Sequence, residues 1–244
     1  MKNMINEAHE AETGAPSGES ESLEVIKKRK IVVPGEIIVS GEDFLPSEGT
    51  RREGENVVAA RYGLSEEAGR VVKVIPITGS FIPRRNNVVI GRVVDITFSG
   101  WLVDIDWAQS GFLPIDESPK FINKNEMDQF LAIGDTVAAK IWSVKPKGLD
   151  LSLNSRGLGK LEGGFMFRIS PNRVPRVIGR EGSMINLIKE KTGCEITVGQ
   201  NGWIWMNSET VDASIKARRV VEFIADNFSS EGLTEKVEEM LSGN

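Results

Sequence analysis

The chain has 244 residues, 40% of them hydrophobic and 27% charged, a balance that suits globular domains, either one large or two or three small. A single cysteine, Cys194, excludes an internal disulfide and a cysteine-built metal cluster, and a single histidine, His9, leaves the remainder without an imidazole for acid–base chemistry or zinc. The net charge of −5 argues against a uniformly basic nucleic-acid binder, and the absence of a bilayer-length apolar run or a signal-like leader points to a cytoplasmic protein with no membrane role.

Residues 1–22 are polar and read as a flexible tail. Lys27-Lys28-Arg29-Lys30 follows as a solvated strand opening. Residues 23–82 predict a small β-domain of about five short strands, including Ile31–Val33, Ile37–Val39, Val57–Ala60 and Val71–Ile75, with a long loop from Glu42 to Asn56. So little core implies that this unit leans on a neighbour.

Residues 83–156 predict a five-stranded OB barrel. Val88–Ile96 is a strand and Ser99-Gly100 a turn. An alternating strand from Trp101 to Trp107 then places Trp101, Val103, Ile105 and Trp107 on one face. Gly111–Pro114 is the third strand, Asn125–Ile133 a helix, and Val137–Val144 with Leu149–Leu153 a hairpin across Lys147-Gly148. Asp104 and Asp106 share the opposite face, where a solvated pair is expected and no metal. Gly91-x-Val93, Ser99–Val103, Gly111–Pro114, Gly134-Asp135-x-Val137 and Leu151–Leu153 resemble the RNA-binding OB domain of the ribosomal S-one type. That family's two stacking aromatic positions fall on Ser99 and Leu102, and its histidine position on Pro114. Phe98 and Trp101 are one register away, and a one-residue slip reverses the face of a strand. The resemblance therefore leaves backbone contact through Arg92, Lys145 or Lys147 as the expectation for this barrel.

Residues 157–244 carry the strongest signal. Phe165–Ile169 and a short helical stretch opened by Pro171 lead through Val177-Ile178 into Gly179-Arg180-Glu181-Gly182. A helix capped by Ser183 and stopped at Thr192-Gly193 follows, with Ile185 and Ile188 on one face. Glu195–Val198 and Trp203–Met206 form a hairpin across Gly199–Gly202. A last helix, capped by Ser208 and reaching Phe228, shows an apolar stripe of Val211, Ile215, Val221 and Ile224. Six basic residues against two acidic between 168 and 191 make a local positive window beside an acidic C-terminal segment. On charge alone, a solvated helix face is the favoured reading.

The order β-α-α-β-β-α around V-I-G-x-x-G-x-x-I resembles a type I KH domain. A loop that presses its main chain against a phosphodiester tolerates no Cβ at the contact, which Gly179 and Gly182 supply. The next helix offers its N-terminal N–H groups near Ser183. Arg180 adds charge at the tip, Arg173, Arg176 and Lys189 flank it, and Glu181 is expected to turn away. Ile185, Ile188 and Ile196 are expected to wall a groove for about four unpaired bases. Replacing both loop glycines by Asp is expected to weaken single-stranded RNA binding and leave the fold near native.

Taken together, residues 23–244 resemble the RNA-binding cap subunit of the archaeal exosome, on Val33–Glu36, the barrel and Ser170–Ile185. The resemblance implies a non-catalytic protein without cofactor or metal. Three copies would sit through their N-terminal domains on a hexameric ring of RNase PH-like subunits, beside the other cap subunit. They would guide single-stranded RNA 3′ ends, often A-rich, toward 3′-to-5′ degradation. That other cap subunit carries a zinc ribbon, which the lone Cys194 excludes here. Two alternatives stay open. One is a NusA-like transcription factor, which usually has a second KH domain. The other is a phosphorolytic nuclease, which needs large catalytic domains and the order KH before OB.

Overall fold

The computed structural model describes residues 30–227 and 232–242. The tail over 1–22, the basic run Lys27–Arg29 and the helix end at Phe228 lie outside those residues. Three units follow one another, a small β-unit, a closed barrel and an α+β unit.

Seven strands build the first unit. In one sheet β1 (Lys30–Val32) pairs with β6 (Gly63–Ala68), which pairs with β7 (Val71–Pro76), and β7 runs parallel to β3 (Leu45–Pro46). In the other, β5 (Asn56–Ala59) lies between β2 (Ile37–Ser40) and β4 (Thr50–Glu53). The expected loop from 42 to 56 therefore contains two strands. Its polar sequence hid them, because the TRRE of β4 turns outward and is made a strand by four-residue pairing with β5 rather than by an apolar face of its own. β6 was likewise unforeseen. Its GLSEEA is held between β1 and β7, and it buries Glu66 with Lys73 Nζ 3.2 Å from the carboxylate. The core of this unit is small, with Val32, Ala59 and Val74 buried together under Ile38.

The barrel runs β8 (Val88–Thr97), β9 (Gly100–Asp104), β10 (Gly111–Pro114), β11 (Thr136–Lys145) and β12 (Gly148–Ser152). It closes because β12 pairs antiparallel with β11 and parallel with β10. Trp101, Val103 and Ile105 are all fully buried, as their alternation requires, and Trp101 Nε1 donates to Leu131 O at 2.9 Å. The strand nevertheless ends at Asp104, since Asp106 adopts φ 59°. The expected nine-residue helix is one turn, α1 (Met127–Phe130), after a 3-10 turn at Lys124–Glu126. Leu131 is already extended, and the Asp135 carboxylate captures the Ala132 N–H at 2.9 Å, which bends the chain away. An unforeseen strand, β13 (Gly159–Leu161), adds to β11. Its Lys160 lies 2.8 Å from Asp135 and holds that carboxyl below its ordinary range.

The third unit is a three-stranded antiparallel sheet, ordered β14 (Phe165–Arg168), β16 (Trp203–Asn207), β15 (Glu195–Val198), with helices on one face. These are α2 (Val174–Ile178), α3 (Ser183–Thr192), α4 (Val211–Asp226) and α5 (Leu233–Ser242). Gly193, at φ 69°, ends α3 as expected. Two expected caps move. Gly182 stands at the α3 N-cap with Ser183 already inside the helix, and Thr210, not Ser208, caps α4 by accepting from Ala213 N at 3.3 Å. The expected α4 stripe is half right. Val221 and Ile224 are buried with Ala217 and Val220, whereas Val211 and Ile215 face solvent. α5 was not foreseen, although Leu233, Val237 and Leu241 repeat every four residues and all enter the core.

β16 explains how the last two units are joined. Ile204 and Met206 face the helices, while Trp203 and Trp205 face the barrel and meet Ile90 and Ala138. The Gly199–Gly202 turn also inserts there. Gln200 N donates to Val88 O (2.7 Å), and buried Asn201 bonds Ile90 and Ile105. Arg168 pairs with Asp106 across the same junction, which accounts for one of the two aspartates that shared a face in the sequence.

Candidate nucleic-acid interface

The loop between α2 and α3 is exposed main chain in a conformation that its sequence dictates. Gly179 sits at φ 76°, ψ 177°, a region reserved almost wholly for glycine, and Gly182 at φ 83°, ψ 8°. Between them Glu181 also adopts positive φ, 53°, and projects into solvent with Arg180. No side chain caps α3, and although the Ser183 N–H already donates to Arg180 O, the positive end of the helix dipole faces the loop.

The two glycines are required for different reasons. A Cβ at Gly179 would lie 2.7 Å from both Cβ and N of Met184, whereas one at Gly182 meets only the Asn186 amide at 3.5 Å. Gly179 thus packs the loop onto its own helix. The expectation that Asp at both positions spares the fold does not survive this geometry. Gly179→Ala is expected to cost about 1–3 kcal/mol from the backbone conformation, plus the clash, and Gly182→Ala about 1–2 kcal/mol. Urea midpoints of the two variants check this, and equal midpoints would contradict it.

The remaining expected residues divide. Arg176 and Ser183 are exposed next to the loop. Arg173 is half-buried at the start of α2. Burial pulls its guanidinium down, against the opposing charge of Asp226. Ile185, Ile188 and Ile196 are all buried in the core, and of the three Ile196 also lines the hollow beside Lys189. Lys189 lines the outer edge of β15 with Thr197, Glu195 and the linker residues Lys160 and Glu162, a wall the sequence did not reveal.

On the barrel the expected cations are not together. Arg92 lies opposite Thr136 at one end of β11, in a cleft shared with Trp203 and Trp205 of the third unit. Lys145 and Lys147 lie at the other end, and Lys145 is 2.5 Å from Asp150. Nine residue steps of strand separate Thr136 from Lys145, up to about 30 Å. Near that far end an aromatic–cation pair appears that no motif carried, with the Arg85 guanidinium 4.9 Å from the Trp142 ring centroid.

Comparison with known proteins fits this geometry. The KH domain family matches residues 164–212, which span the loop, α3 and the β15–β16 hairpin. The exosome complex component Rrp4 of Methanothermus fervidus is 41% identical over 217 residues, covering 88% of this chain and 96% of that protein. Rrp4 of Nitrosopumilus maritimus is 37% identical, with the same coverage of both chains. A crystal structure assigned to an exosome complex RNA-binding protein superposes with a TM-score of 0.58 at 30% identity, covering 67% of this chain and 95% of that one.

Proposed function

The chain belongs to the Rrp4 family of exosome complex components, and from that premise we propose that it is a non-catalytic RNA-binding cap subunit that captures single-stranded RNA 3′ ends and passes them to a separate degradative ring. The observation that carries this reading is the loop backbone of Gly179–Gly182, with Gly179, Glu181 and Gly182 at positive φ against a helix N-terminus that has no side-chain cap. A phosphate fits such a site, and the exposed Arg180 and Arg176 complete its charge. The division into residues 23–82 for ring docking, 83–156 for the barrel and 157–244 for the KH domain follows the same reading. The small core of the first unit suits a domain that finishes its packing on a partner. The partners are RNase PH-like subunits and the other cap protein, with three cap copies to a hexameric ring in the cytoplasm.

Two measurements test it together. The purified chain should bind single-stranded RNA in preference to duplex and leave labelled RNA uncut with phosphate and Mg²⁺. From native lysate it should co-purify with RNase PH-like subunits. Recovery of RNA polymerase instead would favour the NusA-like reading, and cutting by the chain alone would overturn the non-catalytic one.

A further inference from the structure

One face of the barrel has the makings of a second RNA contact. The turn Arg84–Asn87 closes through Asn87 N–H to Arg84 O (3.1 Å) and Arg84 N–H to Asn87 Oδ1 (3.0 Å), with Asn86 at φ 70°. Asn is one of the few side chains that accept this conformation readily. The turn is stitched to β11 by Asn86 N–H to Ile141 O (2.8 Å) and Ile141 N–H to Asn87 O (2.7 Å). On β11, Ile141 pairs with Leu151 and Ser143 with Asp150, which leaves Trp142 as the extra residue of a bulge. The indole, turned out of the barrel by alternation with buried Val137, Ala139 and Ile141, is 47% exposed, directly beside Arg85.

The resulting hollow is lined by Pro83, Arg84, Arg85, Trp142, Ser143 and Val144, with no carboxylate among them. Lys145 and Lys147 extend the positive charge along the same strand and turn. Against these four cations stand Glu48, 2.8 Å from Arg84, and Asp150, 2.5 Å from Lys145. A net positive strip on a chain of charge −5 suits a polyanion better than a protein partner. The contrast lies at another place on the barrel. Phe98 and Phe121 are 82% and 91% exposed there, and Lys124 Nζ lies 5.9 Å from the Phe98 ring centroid, but the segment 115–128 carries four carboxylates, Asp116, Glu117, Glu126 and Asp128, against Lys120 and Lys124.

We infer that this face is a single-stranded RNA subsite, in which a base stacks on the Trp142–Arg85 pair and Arg84, Lys145 and Lys147 meet phosphates. The inference rests on the RNA-binding reading and adds base contact to a barrel whose usual stacking positions hold Ser99 and Leu102.

The test uses the full chain and fluorescein-labelled oligoadenylate RNA, compared with an abasic oligomer of the same length. Trp142→Ala should weaken binding of the base-bearing RNA roughly five- to fifty-fold, Trp142→Phe much less, and neither should change binding of the abasic oligomer. Arg85→Glu, in an exposed turn, should weaken both, and this variant keeps the test open if Trp142→Ala melts early. Arg180→Asp/Glu181→Asp serves as the reference. If that variant loses affinity while the Trp142 and Arg85 variants match wild type, the subsite is refuted and the KH reading stands. Wild-type protein that binds no single-stranded RNA overturns both. Unchanged RNA affinity with loss of co-purifying subunits would make the face a protein contact and end the proposal.

Discussion

Replacing Arg180 and Glu181 together by Asp is expected to weaken single-stranded RNA binding by roughly ten- to a hundred-fold while leaving the unfolding transition where it is. A charge-assisted contact is worth about 1.5–3 kcal/mol, and the variant removes one and places like charge against the phosphate. The fold is spared because both side chains are exposed and neither glycine is touched. Asp is also among the residues that tolerate the positive φ of 53° found at Glu181. The choice of the two middle positions follows from the contact of Gly179 with Met184, which would confound any substitution of that glycine with a folding defect. Fluorescence anisotropy at fixed salt, paired with a circular dichroism melt, reads both quantities. Wild-type affinity in this variant would sink the assignment of the loop as the phosphate site. The salt dependence gives an independent measure, since the slope of log K against log salt should become shallower when a phosphate contact is lost.

How much of this was legible in the residues depends on where the information lies. The KH unit was readable because its signals are local. Two glycines are fixed by backbone geometry, Gly193 stops a helix, and Ile204 and Met206 alternate toward the helices while Trp203 and Trp205 face the barrel. The barrel strands were readable for the same reason, from Trp101, Val103 and Ile105. What failed was non-local. β4 and β6 exist because neighbours pair with them, and no propensity scale finds TRRE or GLSEEA. The caps at Ser183 and Ser208 were misplaced by one and two residues, because several polar residues compete at each helix start and only the backbone decides among them. Trp142 had a signal, since alternation with the inward Val137, Ala139 and Ile141 turns it outward. Its partner Arg85 had none, because a turn distant in sequence brings that guanidinium to the ring.

The largest stability effect is expected at Asn201, which sequence reasoning treated only as a turn residue. It is 1% exposed, accepts from Ile90 N at 3.2 Å, and donates to Ile90 O at 2.7 Å and Ile105 O at 2.8 Å. A hairpin tip of the KH unit thereby completes the hydrogen bonding of β8 and of the residue just past the end of β9, at the point where the barrel meets the KH sheet. Asn201→Ala leaves three buried backbone groups without that partner, each worth about 1–3 kcal/mol. Some of them can recover water through the gap, so a net loss of about 3 kcal/mol is expected, or roughly 6–12 °C in Tm for a cooperative unit of this size. The two units should also begin to melt separately, because Asn201 sits inside the junction that Trp205, Ile90 and Ala138 form. That separation has a functional readout. This junction helps hold the Arg180 loop and the Trp142 face in fixed relation, so an RNA long enough to reach both gains from effective concentration in the wild type. Asn201→Ala should therefore weaken a long oligomer several-fold and leave a short one that reaches a single surface unchanged. Equal losses for both lengths, or a melt within about 1 kcal/mol of wild type, would show that the junction does not depend on this side chain.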